Sequence, residues 1–148
     1  MATSYSEIIG DFLDKVSEYK FLRCDEDECN QMAINYMKRA CSQFNYIFKN
    51  RTGFDLHDCD DSTETFPFDI AADAIDVISE GMLVQWMKPY ANNSENLENF
   101  LNTKDYSMNS TANLLSKVRS AYDDVRSEFV QAMREYSYNH GALNELHM

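Results

Sequence analysis

FPFDIAADAIDVISEGMLVQWMKPY, residues Phe66 to Tyr90, is the one segment of this chain that is apolar on nearly every face. Asp69 is placed to cap a helix N-terminus and Pro89 cannot donate to a helical ladder, so the pattern predicts a helix from about Ile70 to Lys88. Ile70, Ala71, Ala74, Ile75, Val77, Ile78, Met82, Leu83, Val84, Trp86 and Met87 cover far more than the roughly 100° apolar stripe of a surface helix. Such a helix needs neighbours on several sides. Its acids, Asp69, Asp73, Asp76 and Glu80, recur at intervals of four, three and four, which lines them along one edge. Spacing alone does not say what that edge faces.

The flanks are helical as well. Ser4 and Glu7 make a capping-box pattern, and Tyr5, Ile8, Ile9, Phe12, Leu13 and Val16 follow at helical spacing to about Tyr19. Asp25 and Glu28 repeat the pattern and open a second helix to about Lys49, with Met32, Ala33, Tyr36, Met37, Ala40, Phe44, Ile47 and Phe48 as its core face. The two are expected to pair antiparallel. A short helix near Ser94 to Asn102, burying Leu97, Phe100 and Leu101, follows the central one. The longest helix then starts at Asn109 or Ser110 and runs to Tyr138, with Leu114, Val118, Ala121, Tyr122, Val125, Phe129, Ala132, Met133 and Tyr136 on one face. Gly141 suits a left-handed cap, leaving residues 142–148 as a tail. Between the second and central helices, residues 50–68 break the pattern with Gly53, Pro67 and five acids, and read as a long loop with room for a short hairpin.

Four glycines and two prolines among 148 residues fit this count of helices and short connections. The fold expected is all-α: one domain over residues 1–148, a bundle of about four to five helices with a long C-terminal helix, a protruding loop at 50–68 and a short tail. Thirteen basic against 25 acidic residues give a net charge of −12, a field that repels duplex DNA and anionic membranes. MATSYSEIIGDF has neither a basic region nor a continuous apolar run, and no stretch holds about 18 successive apolar residues, so a cytoplasmic chain is expected. In that compartment Cys24, Cys29, Cys41 and Cys59 read as free thiols.

Sites for chemistry do not assemble on these patterns. Zinc ligation by Cys24, Cys29, Cys41, His57 and Cys59 lacks the paired knuckles of zinc ribbons. Asp58, Asp60, Ser62, Glu64 and Asp69 fit an EF-hand frame except that Thr63 replaces the turn glycine and Asp69 the closing bidentate Glu. A di-iron bundle would need Glu-x-x-His motifs that the sequence lacks, and His57, His140 and His147 fall in loop or tail. Met82, Trp86 and Met87 could line a ligand pocket, but at helical spacing they read as core. The expectation is a protein that is not an enzyme, with no catalytic, cofactor or metal residues.

FPFDI, the apolar helix closing on MLVQWMKP, then ENLENFLNTKDYSM, NSTANLL and a long helix closing on YSYNHG resemble tailed-bacteriophage head-tail connector, or neck adaptor, proteins over roughly residues 66–141. The resemblance implies a structural virion protein made in the host bacterial cytoplasm and located in the virion neck. It implies a homo-oligomeric ring, a dodecamer, between the portal protein and the stopper or tail completion protein, with DNA only as passing cargo and no membrane partner. On that basis Phe54, Leu56, Phe66 and Phe68 in the loop and Tyr138, His140, Leu143 and Leu146 near the C-terminus are the candidate partner-binding residues, buried on assembly. The competing reading packs them on the protomer's own core. Asp69, Asp73, Asp76 and Glu80 are the candidate channel- or solvent-facing acids. A different class, a small acidic phage or bacterial regulator that binds a host protein, is the alternative function.

Overall fold

The computed structural model of the chain describes residues 2–17, 26–92 and 111–142. Among them are four α-helices, α1 (Tyr5–Val16), α2 (Glu26–Thr52), α3 (Ala72–Asn92) and α4 (Thr111–Ser137), the last running into a π-helical turn at Tyr138–Ala142. Two short strands, β1 (Thr3–Ser4) and β2 (Thr65–Phe66), pair antiparallel with Thr3 opposite Phe66. The architecture is the all-α bundle that the periodicity predicts. The helix predicted near Ser94 to Asn102, the cap at Asn109 or Ser110, Cys24, Leu143, Leu146 and the rest of residues 143–148 lie outside what is described, whereas Cys29 lies within α2 and Gly141, expected as a left-handed cap, within the π-helical turn.

The core is organised around α3. It packs most extensively on α4 and α2 and next on α1, whereas α1 and α2 touch less, so α1 pairs chiefly with the central helix instead of with its sequence neighbour. Every residue from Gly81 to Met87 is buried, which is what an apolar surface all the way round a helix requires. Gly81 marks the tightest crossing: a Cβ there would lie 2.8 Å from the Ala40 Cβ of α2 and 2.8 Å from the Phe129 ring of α4. Only a residue without a side chain lets the three helices approach this closely. Ile8, Phe12, Met37, Phe44, Ile78 and Met82 fill the surrounding layer and are essentially inaccessible. Each such side chain contributes about 1.5–3 kcal/mol through burial.

Three predicted boundaries shift. Helix α3 begins at Ala72, two residues after the expected start, because the Ile70 N–H donates to Thr3 Oγ1 at 2.7 Å and holds the chain extended there. Asp69 therefore accepts from Thr3 Oγ1 at 3.5 Å and does not cap the helix. At the other end α3 continues through Pro89 to Asn92. Proline removes one donor, and Arg119 of α4 donates to the Ala91 carbonyl at 2.9 Å, giving that helix end an outside partner. Helix α2 extends past Lys49 to Thr52, where Gly53, at φ +82°, donates to the Lys49 carbonyl at 2.9 Å and closes it.

The expected capping box at Ser4 is not formed. Ser4 is extended, makes no side-chain cap bond and instead its hydroxyl is hydrogen-bonded to the Ser6 hydroxyl at 2.8 Å. Met32, predicted on the core face of α2, is exposed, while Ala33, Tyr36, Met37, Ala40, Phe44 and Phe48 are buried as expected and Ile47 partly so.

The loop accordingly spans 53–71, not 50–68, and it does contain the short hairpin. Asp60 and Thr65 exchange backbone hydrogen bonds at 2.9 and 3.2 Å, and Asp60 Oδ1 accepts from the Ser62 N–H and hydroxyl inside the turn. Glu64 takes the left-handed conformation, φ +54°, to complete it. The N-terminus stitches the loop down: Tyr5 N–H donates to Glu64 O at 2.9 Å, and Thr3 N–H to Phe68 O at 3.2 Å. Asn45 of α2 holds the first half, accepting from Leu56 N–H at 2.8 Å and donating to Asp55 Oδ1 at 2.9 Å.

Candidate functional site

Helices α2 and α4 end side by side, tied by Arg51, whose guanidinium donates to Ser137 Oγ at 3.2 and 3.4 Å. At this end the aromatic residues form a continuous ladder. Phe54 stacks on Phe68 with centroids 4.7 Å apart and planes 11° apart, and Phe68 meets Phe48 at 5.9 Å. Phe48 stacks on Tyr136 at 6.4 Å, and Tyr136 on the His140 ring at 4.1 Å. Phe44 meets Tyr136 edge-on at 5.0 Å and fixes its plane.

The local chain explains this placement. Gly53 turns the backbone out of α2, and Thr52, donating to Phe48 O at 2.8 Å and accepting from Phe54 N–H at 3.2 Å, aims Phe54 back across the helix end. One end of the ladder is wet, with Phe54 48% exposed, and Tyr138 in the π-helical turn is 57% exposed. His140, also exposed, pairs with the Asp73 carboxylate of α3, which anchors the π-helical turn to the central helix. Burial, with the Asp73 charge behind it, pushes the Tyr136 phenol up to about 12, so it stays neutral at physiological pH.

Of the sequence-predicted partner residues, the structure brings Phe54, Phe68 and His140 onto one ladder and leaves Tyr138 exposed beside it. Leu56 is 1% exposed, Phe66 0% and Phe68 7%. These three are buried within the protomer itself, through the Asn45 anchor and the β1–β2 pairing, so the expectation of burial only on assembly does not hold for them. Phe54 alone of the loop's four apolar residues keeps a free face.

The carboxylate stripe divides in the same way. Asp69, Asp73 and Asp76 are exposed. Lys15 of α1, however, lies across the far half, 2.7 Å from Asp76 and 3.2 Å from Glu80. Burial opposes the Lys15 charge, but the two carboxylates outweigh it and hold the ammonium above its ordinary range. Glu80 is largely covered, with one carboxylate oxygen buried and unpartnered. Burial pushes its carboxyl up from the ordinary value, Lys15 pulls it back, and Glu128 and Asp76 add to the rise. Glu80 is thus an interior edge of the bundle, not a face open to a channel.

Sequence reasoning missed Lys15, Asn45 and Arg51, the polar residues that connect elements. A signal existed for Lys15: it sits one residue before buried Val16 and three after buried Phe12, so its stem had to run along the core margin. Asp58, Asp60, Ser62, Glu64 and Asp69 do not converge; Asp60 is engaged with Ser62 and Asp69 with Thr3. Among the described residues no three His, Cys, Asp or Glu side chains form a group able to hold a metal ion. No described helix is long and apolar enough to cross a membrane. Comparison with protein-family models, curated proteins and solved structures gives no significant match.

Proposed function

We propose that this chain is a structural virion protein, a head-tail connector of a tailed bacteriophage. Its copies form a ring, expected to be a dodecamer, between the portal and the stopper or tail. The observation that carries the assembly reading is the aromatic end of the bundle. Phe54 and Tyr138 stand exposed where α2 and α4 finish, backed by a rigid ladder, and rigid aromatics of this kind contribute contact area at low entropic cost. The resemblance of the segments from FPFDI to YSYNHG supplies the phage context. A charge of −12 per protomer, repeated round a ring, would keep DNA phosphates from adhering during passage. Asp69, Asp73 and Asp76 are the acids of the central stripe still open to such a channel.

The alternative, an acidic regulator that binds a basic host protein, draws on one feature of the same region. Asp58, Asp60, Asp61 and Glu64 are all exposed on the loop that carries Phe54. Native mass spectrometry of the chain mixed with its portal protein separates the two. The connector reading predicts a ring of many copies on the portal, lost in Phe54→Ala/Tyr138→Ala. A chain that ignores the portal and instead forms a stoichiometric complex with a basic host protein would contradict it.

A further inference from the structure

A cavity of about 310 Å³ lies between α2 and the loop. Met37, Lys38 and Cys41 border it from the helix, and Leu56, Cys59 and Asp61 from the loop. Its polar rim is well defined. Asp61 accepts from Lys38 at 2.6 Å and from the Tyr5 hydroxyl at 2.8 Å. Two thiols from different segments therefore face one space. They differ in access: Cys41 is 3% exposed, whereas Cys59 is half-buried and reachable from solvent.

We infer that Cys59 and Cys41 are a reversible dithiol pair, in which Cys59 is the sulfur that a small disulfide reaches and Cys41 the sulfur that resolves the adduct. The Cys59 thiolate attacks one sulfur of a low-molecular-weight disulfide, forms a mixed disulfide and releases one thiol. The Cys41 thiolate then attacks the Cys59 sulfur, closes the protein disulfide and expels the second thiol. Two protein thiols are oxidised, one small disulfide is reduced to two thiols, and both protons leave with those thiols. The closed bond joins α2 to the loop covalently, in addition to the Asn45 and Lys38 contacts that already link them. It adds a covalent tie to a hairpin otherwise held by hydrogen bonds, those from Tyr5 and Lys38 included, and it constrains the unfolded chain.

Burial pushes the Cys41 thiol up to about 12, and a charge on Cys59 adds to the rise, so the resolving step is the slow one near neutrality. Below that value the Cys41 thiolate fraction, and with it the closing rate, rises about tenfold per pH unit. The test incubates the full chain with oxidised glutathione at several pH values, quenches with acid and maps the cysteines by peptide mass spectrometry. The result expected is a transient glutathione adduct on Cys59 that converts to a Cys41–Cys59 linked peptide, faster at higher pH. Cys41→Ser traps the adduct on Cys59, and Cys59→Ser leaves Cys41 unmodified in the folded chain. A Cys59 adduct that never converts while Cys41 stays free, pairing of Cys59 with Cys24 or Cys29, or no modification of Cys59 overturns the inference.

Discussion

The crossing of α3 with α2 and α4 and the loop at 53–71 lie against each other but are held by different physics. At the crossing, seven successive buried residues and a glycine between Ala40 and Phe129 leave shape and apolar area as the determinants. The loop buries four apolar anchors, Leu56, Phe66, Phe68 and Ile70, and is otherwise fixed by Asn45, the Asp60–Thr65 bridge, the N-terminal strand and ionised carboxylates. Volume changes should therefore damage the first, and proton or hydrogen-bond changes the second.

The largest effect should come from the core. Phe44→Ala empties a site shared by α2 and Tyr136 and should cost about 3–5 kcal/mol in chemical denaturation. Gly81→Ala gains helix propensity of about 1 kcal/mol, yet the Cβ collides with Ala40 and Phe129, so a net loss of about 1–2 kcal/mol is expected. A stabilised Gly81→Ala variant would mean that the helices can separate freely and that the crossing is not tight. Asn45→Ala should cost about 1–2 kcal/mol by leaving the Leu56 N–H without its partner, and hydrogen exchange should quicken at the loop before the helices.

The two regions should also answer pH in opposite directions. Asp55, Asp60 and Asp61 are held below the ordinary carboxylate value of 3.8, by the His57 N–H, by Ser62 and by Lys38 respectively. Their contribution is present above that value and is lost as pH falls through their lower folded values, so acid should loosen the loop. Glu80 is raised above its ordinary 4.5, chiefly by burial. Its neutral form is the one the fold favours, present below 4.5 and lost as pH rises through the folded value. Glu80→Gln should consequently stabilise the chain at neutral pH by up to about 1 kcal/mol, read as a slightly higher melting temperature, and match the wild type in acid. A variant destabilised at neutral pH would show that the Lys15 pair outweighs the unpartnered oxygen.

What could be read in advance follows the same division. The continuous apolar surface of Ile70 to Met87 announces a surrounded helix because burial on all faces leaves only that pattern, and the stripes of α1, α2 and α4 state their inner faces through period alone. Local capping rules failed where tertiary partners intervened. Ser4 is taken into a strand, and Ile70 donates to Thr3, 67 residues away, so helix α3 starts late. Arg119 gives α3 an outside partner past Pro89, and no spacing within α3 could reveal a residue from another helix. For the candidate site, the loop's apolar residues were visible, but which of them are interior depended on Asn45 and β1, both distant in sequence.

The assembly account turns on Phe54 and Tyr138, the large apolar residues left exposed where α2 and α4 finish once the protomer has folded. Hydrogen exchange of the free chain and of its complex with the portal measures this directly. The account predicts that Leu56 and residues 65–70 are already protected in the free protomer, with added protection in the complex concentrated at 52–55 and 137–140. Large new protection at Leu56 and Phe66, or none around Phe54 and Tyr138, would contradict it.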